Sequence, residues 1–220
     1  MKNPLKTCCR AFAAFAISFA SFCAAAEKPA DLQRFDELDN LSFVEMVNSV
    51  DLGKNSELIR KFQDKEGKNR LLNGRNIPKS DWKVEFFRNK EVLLITIPAS
   101  KLFAPNATAL RPGASEYLNP IRRYLKDPDM YRVLLVMHTD NTGASAYRDK
   151  LTIDRAGAVF NWFEDHGEDT RYLFDYAMSD DMPLKPNNSV ENRADNRRLE
   201  IYLVPGKKML EQAKKGRIVF

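Results

Sequence analysis

The chain has 220 residues, a formal charge of +5 and 44% hydrophobic residues, which suits one domain of ordinary size with extensions and a buried core. With 2 histidines in all, a three-histidine zinc site is excluded, and no HExxH or GxSxG organises hydrolysis. Setting aside the leader residues Lys2, Lys6 and Arg10 lowers the charge to +2, and no basic stripe of the kind that neutralises phosphates remains, which argues against a nucleic-acid partner.

Lys2, Lys6 and Arg10 form a basic n-region, Ala11 to Phe22 an apolar h-region, and Ala24-Ala25-Ala26 an A-x-A site. Together they predict a secretory signal peptide over 1–26, cut between Ala26 and Glu27. Cys23 raises a lipoprotein alternative, in which the chain would be tethered through an acylated cysteine. Phe22 opposes it, because such signals want a small residue directly before the cysteine. All three cysteines, Cys8, Cys9 and Cys23, lie in the leader, so the mature chain is expected to be soluble and without thiols.

Residues 27–80 are expected to form a helical extension and linker. Ser42 and Glu45 make a capping box, with Leu41 and Met46 as its hydrophobic staple, which predicts a helix over about 43–50. Leu58, Ile59 and Phe62 predict a second. Charges and glycine breaks between Asp64 and Arg75 read as linker.

A domain is expected over 81–204. Trp82, Val84 and Phe86 alternate with polar residues, as do Leu93, Ile95 and Ile97, and Asn89-Lys90 between them gives a hairpin. Tyr117, Leu118, Ile121, Tyr124 and Leu125 have helical spacing. Pro120 would cost roughly 3 kcal/mol inside a helix, so the helix is expected to start there with Asn119 as its cap. Val133 to Met137 is an uninterrupted apolar run, the pattern of a strand buried on both faces. Thr152 precedes Ile153, Ala156, Val159, Phe160 and Phe163, which predicts an amphipathic helix capped by Thr152 and stopped at His166-Gly167. Leu199, Ile201 and Leu203 alternate as a last strand, and 205–220 is a basic tail with a short helix over about 208–215. Helices between strands, with a hairpin first, indicate an α/β fold: a two-layer sandwich with helices on one face of a mixed sheet.

The chemistry concentrates where the apolar strand stops. His138 is followed by Thr139, Asp140, Asn141, Thr142 and Gly143, so the Asp140 carboxylate should stand exposed at the carboxyl end of a central strand, where open sheets usually hold ligands. With Thr152 as the cap, Arg155 falls in the first helical turn. A guanidinium beside free helix N–H groups suits a carboxylate, and Asp140 suits an ammonium. The pair could clamp the two ends of a zwitterion, such as an amino acid head group. Equally, Asp140 and Arg155 could pair with each other as a surface salt bridge that contributes roughly 0 to 1 kcal/mol.

His138-Thr139-Asp140-Asn141-Thr142-Gly143 with Tyr147, Leu151 and Arg155-Ala156, followed by Arg193 to Ile201, resembles the two motifs of the OmpA C-terminal-like family, which includes Pal lipoproteins and MotB stator proteins. The resemblance spans roughly Trp82 to Val204. It implies an OmpA-like two-layer domain without catalysis or cofactors, which binds peptidoglycan through the free end of meso-diaminopimelate in the stem peptide. Asp140 and Arg155 fall on the family's ligand-clamping positions, with Thr139, Asn141, Arg148 and Leu151 beside them. Ile97 to Phe103 resembles the segment that enters the ligand wall, so Phe103 and Asn106 are expected to line it. Met137 stands where the family has Gly and Arg148 where it has Asn, and Arg148 adds a positive charge near the site. Arg193, Arg197 and Arg198 are expected to hold the last loop against the sheet through carboxylates and backbone carbonyls, with the alternative that one of them neutralises the stem peptide. The resemblance also implies a periplasmic, outer-membrane-associated location, while residues 27–80 could engage an envelope partner. The alternative is an interaction module that keeps the fold but has lost wall binding.

Overall fold

The computed structural model describes residues 41–220 except 49, 51 and 74–76. The leader, Cys23, the expected cleavage site and residues 27–40 lie outside these residues. In chain order the elements are α1 (Phe43–Asn48), α2 (Ser56–Phe62), α3 (Lys68–Leu72), β1 (Lys83–Phe87), β2 (Val92–Pro98), α4 (Ala99–Leu102), α5 (Ala114–Leu125), β3 (Tyr131–His138), α6 (Ser145–Asp165), β4 (Leu173–Ala177), α7 (Val190–Asn196), β5 (Arg198–Pro205) and α8 (Lys207–Lys214). The strands form one sheet in the order β1-β2-β5-β3-β4. Only β3 and β4 run parallel within it. This is the mixed α/β sheet that the sequence pattern implies.

Side chains alternate across a strand, so the register sorts the sheet into two faces. Leu199, Ile201 and Leu203 of β5 lie beside Met137, Leu135 and Val133 of β3 and Ile97, Ile95 and Leu93 of β2. Helices cover this face. Tyr124 of α5 meets the Tyr131 ring edge-on at 5.2 Å, Phe220 stacks on Tyr124 at 5.4 Å, and Tyr131 donates its hydroxyl hydrogen to Gln63 at 3.0 Å. The long helix α6 packs along β3 and β4.

The opposite face is covered as well, which differs from the one-sided layer expected. Phe43 of α1 packs against Tyr202 at 4.9 Å and Tyr176 at 5.9 Å. The cause is β5, whose outward set includes Tyr202 and Val204, both buried. An aromatic and a valine at the centre of a sheet need an apolar cover, and Phe43, Met46 and Val47 supply it. The capping box forms: Ser42 N–H donates to Glu45 at 2.7 Å, and Glu45 N–H donates to the Ser42 hydroxyl at 3.4 Å.

Two further expectations are corrected. The stretch read as linker is helical as far as Leu72, with a π turn at Gln63–Gly67 leading into α3. Its inward residues, Gln63, Gly67 and Leu71, recur every four positions, but only Leu71 is strongly apolar, so hydrophobic periodicity could not reveal them. Gln63 is buried because it serves two partners, the Tyr131 hydroxyl and the Glu91 carbonyl at 3.1 Å. Pro120 lies inside α5 rather than at its start. Ala114 and Leu118 before it and Ile121, Tyr124 and Leu125 after it are all buried, and that continuous stripe outweighs the proline penalty of roughly 3 kcal/mol.

The hairpin turn takes Arg88, Asn89 and Lys90 through the left-handed region, at φ of 46°, 52° and 67°. Asn89 tolerates this, and Arg88 is compensated by its contacts. Its guanidinium donates to Glu91 at 2.8 Å and to the Val47 and Val50 carbonyls at 2.6 and 2.7 Å. The tip of the hairpin thereby holds the N-terminal segment, which passes around it from one face of the sheet to the other.

Gly206 joins β5 to α8 with its N–H on the Met130 carbonyl at 2.8 Å, and a Cβ there would stand 2.2 Å from the Asp129 oxygen. Gly206→Ala should therefore lower stability by about 1 to 3 kcal/mol in urea unfolding. Gly157→Ala should move it the other way, by up to about 1 kcal/mol, because Gly157 lies within α6 with nothing within 4 Å of a Cβ.

Candidate ligand site at the end of the central strand

The site begins where β3 ends. Thr139 is buried and its N–H donates to the Ser179 carbonyl at 2.8 Å, which fixes the chain as it leaves the sheet. Asp140 is buried too, at 3% exposure, rather than exposed as expected. One carboxylate oxygen accepts from the Thr142 N–H at 2.7 Å, a tight local turn, and the other accepts from Arg197. Burial opposes ionisation of Asp140, but the Thr142 and Arg197 donors outweigh it and hold the carboxyl below its ordinary range.

Arg155 is not in a first turn. The helix α6 starts at Ser145, so Thr152 is an interior residue whose hydroxyl donates back to the Arg148 and Asp149 carbonyls at 2.9 and 3.0 Å. Ala146, Arg148, Lys150 and Leu151 are good helix formers, and they start the helix without an apolar stripe to announce it. The helix N-terminus lies about 15 Å along the axis from Arg155, too far to share an anion with it.

Phe103 and the loop that follows it hold Arg155 instead. Its Nε donates to the Ala107 carbonyl at 2.9 Å, one terminal nitrogen donates to the Ala104 carbonyl at 3.2 Å, and the guanidinium sits over the Phe103 ring at 4.9 Å. The remaining nitrogen, Nη1, has no acceptor among the described residues. Burial lowers the Arg155 pKa from its usual value, and the nearby Arg197 charge acts in the same direction. The fork is fixed from behind and short of negative charge.

Sequence reasoning did not single out Arg197 among the three arginines that either hold the last loop or, in one case, neutralise the stem peptide; in the fold it ion-pairs with Asp140 and lies within electrostatic reach of Arg155. Asp140 and Arg155 therefore do not form the salt bridge considered above. The other expected arginine contacts hold. Arg193 donates to the Asn187 carbonyl at 3.2 Å, and Arg198 donates to the Asn196 and Met182 carbonyls, each at 3.1 Å. Asn106 adopts a φ of 58° and accepts from the Tyr147 hydroxyl at 3.1 Å, which ties the loop to the start of α6. Asn141 is exposed and Leu151 buried. Arg148 turns away to Asp180 at 2.8 Å and to the Gly143 carbonyl, so its charge is compensated.

Beneath the site, the second face of the sheet buries a quartet of two charged and two neutral polar groups. Glu200 accepts from Arg198 at 2.7 Å, from Tyr202 at 2.6 Å and from His138 Nε2 at 3.2 Å. Burial depresses the His138 pKa, so the ring is neutral, with Nε2 as the donor and Nδ1 without a partner among the described residues. Burial would raise the Glu200 carboxyl, but the His138 hydrogen bond and the Arg198 charge bring it down to about 2.

The sheet thus buries the Asp140 carboxylate just past the end of a central strand, and α6 carries Arg155, a guanidinium braced by the loop after Phe103. Among the described residues no group of histidine, cysteine, aspartate and glutamate could hold a metal, and no helix is long and apolar enough to cross a membrane. Residues 102–197 match the model of the OmpA family, and this part of the chain is OmpA-like. It is 27% identical over 114 residues to outer membrane protein A of Bordetella avium, covering 52% of this chain and 59% of that one. It is 30% identical over 101 residues to the peptidoglycan-binding protein ArfA of Mycobacterium tuberculosis, covering 46% and 31%. The fold is similar to a putative MotB-like protein from Desulfovibrio vulgaris, at 25% identity and a TM-score of 0.59 over 69% of this chain and 94% of that one.

Arg155→Ala should lower stability in urea by about 1.5 to 3 kcal/mol, because it removes two hydrogen bonds from a charged donor and uncovers Phe103. A His138 pKa depressed in the fold means that the unfolded chain takes up a proton which the folded chain refuses. That contribution is complete above about pH 6.5 and is lost as pH falls through it, with a further loss below about pH 4.5 as Glu200 follows. Urea midpoints between pH 7.5 and 5.5 should show the first decline, and His138→Gln should remove it.

Proposed function

We propose that the chain is a non-catalytic cell-envelope protein that binds peptidoglycan through the free end of meso-diaminopimelate, with Asp140 receiving the ammonium and Arg155 the carboxylate. One observation carries this reading: Arg155 is braced by two carbonyls and an aromatic face, yet keeps an unused nitrogen where the nearby Arg197 adds positive charge. An anion is the group that such an arrangement lacks.

Arg197 occupies Asp140 in the free protein, so an incoming ammonium must displace it. The displaced guanidinium remains beside Arg155 and becomes a second donor for the ligand carboxylate. A ligand carrying both charges replaces the internal pair without leaving either partner bare. A lone amine does not. Phe103, Asn106 and Leu151 support the wall, while Thr139, Asn141 and Arg148 set the turn that presents Asp140. The ArfA relative, named for peptidoglycan binding, supports peptidoglycan as the ligand class. Export by the 1–26 leader to the periplasm, with outer-membrane association, completes the reading. Residues 27–80 are left for an envelope partner.

Co-sedimentation with purified sacculi tests it. Lysine lacks the second carboxylate, so walls of the diaminopimelate type should be retained about tenfold or more better than walls of the lysine type, on hydrogen bonds to charged groups of roughly 1.5 to 3 kcal/mol each. Asp140→Asn should abolish retention in a chain that still melts cooperatively. Equal retention of both wall types would count against the clamp, and no retention of either would favour an interaction module that has lost wall binding.

A further inference from the structure

Tyr147 joins the two halves of the ligand site. Its ring edge lies against Gly143, where a Cβ would stand 3.3 Å from Cδ1, and its hydroxyl donates to the Asn106 side chain at 3.1 Å. Gly143 closes the turn that begins at Asp140, and Asn106 belongs to the loop whose Ala104 and Ala107 carbonyls hold Arg155. One side chain therefore touches both the segment assigned to the ammonium and the segment assigned to the carboxylate. We propose that Tyr147 sets the ligand preference of the site, its ring being the surface on which the methylene chain behind the zwitterionic end lies. This rests on the clamp proposed above, and it adds what two charges alone do not supply: a reason to prefer a long diamino acid over a short amino acid.

Tyr147, Leu151 and Arg155 recur every four residues, so they share one face of α6. Leu151 and Arg155 are buried, whereas Tyr147 is 46% exposed and leaves a broad apolar surface in solvent. It also lies within electrostatic reach of the Arg155 guanidinium, so a carboxylate held there brings the rest of its ligand close to the ring. Elsewhere around the charged pair the surroundings are polar or closed: the Thr142 N–H and Arg197 occupy Asp140, and Phe103 is buried against Arg155. A methylene chain leaves a site where it keeps apolar contact, and Tyr147 supplies that contact.

The ring is also held in place for the purpose. A tyrosine near a helix start would otherwise move among its rotamers, but the Asn106 hydrogen bond fixes the far end of the ring and Gly143 the near edge. Gly143 adopts a φ of 87°, and its lack of a side chain gives the ring room to lie against the turn. A phenol suits the task because its face takes methylene groups while its hydroxyl stays with Asn106. Stability is a poor explanation for this arrangement. An exposed hydrogen bond between side chains exchanges with water at little net gain, and α6 has 21 residues to sustain it.

Chemical-shift titration of the isotope-labelled exported chain tests this with two probes, meso-diaminopimelate and D-alanine, which has the same zwitterionic end without the chain. Wild type should bind diaminopimelate more tightly. Tyr147→Ala should weaken diaminopimelate by about fivefold, the effect of three methylene groups half covered by one ring, and leave D-alanine unchanged. Tyr147→Phe keeps the ring and loses only the hydroxyl, so it should stay within about twofold of wild type for both probes. All three chains should melt alike. A Tyr147→Ala variant that binds diaminopimelate like wild type, or that weakens both probes equally, would overturn the proposal, as would a Tyr147→Phe variant as weak as Tyr147→Ala. Wild type that binds both probes equally well removes the role of Tyr147 and leaves the clamp standing; wild type that binds neither removes the clamp and this inference with it.

Discussion

A strand buried at every position must resolve its charges internally, and β5 carries two of them. All eight of its residues are buried, Arg198 and Glu200 included. Desolvating either alone would cost several kcal/mol, so the pair is stable only because Tyr202 and His138 complete the Glu200 shell and backbone carbonyls take the rest of Arg198. Much else follows from that requirement. The register between β3 and β5 is set where His138 faces Arg198, and a shift by one residue would strand both charges among aliphatic side chains.

The Asp140–Arg197 pair inherits its placement from the same source. Asp140 comes two residues after His138, and Arg197 directly precedes Arg198, so the anchored quartet fixes the points from which both partners depart. Arg155 arrives from a different element, and the Ala104 to Ala107 loop holds it there. Arg155 is braced by main-chain oxygens, and a side chain so held has little conformational freedom left to lose.

Four of the five strands were legible in the sequence, because β1, β2 and β5 repeat a period of two and β3 is an unbroken apolar run, whereas β4, Leu173–Ala177, does neither and escaped; the hairpin, Gly167 and the basic α8 followed from local chemistry. What escaped detection shares one physical cause. The start of α6 and the turns between Gln63 and Leu72 are helices whose inward or outward residues are not consistently apolar, so periodicity had nothing to register. Pro120 misled in the opposite way: a local rule was obeyed by the prediction and overridden by burial in the fold. In the site, Asp140 and Arg155 were visible as charges beside a strand end, but their partners were not. That Arg197 closes on Asp140 across more than fifty residues is a fact of topology, and no spacing in the chain encodes it.

The short helix α1 is a place where the fold opens locally. Six residues are too few to sustain a helix alone, so α1 persists through Phe43, its capping box and the two carbonyls that Arg88 holds. Its amides exchange with solvent whenever those few contacts part, at a free energy well below that of unfolding the sheet. Each such opening uncovers Tyr202 and, beneath it, the Glu200 carboxylate. Water thereby reaches the charged centre of the sheet by a route on the N-terminal segment, with every strand still paired.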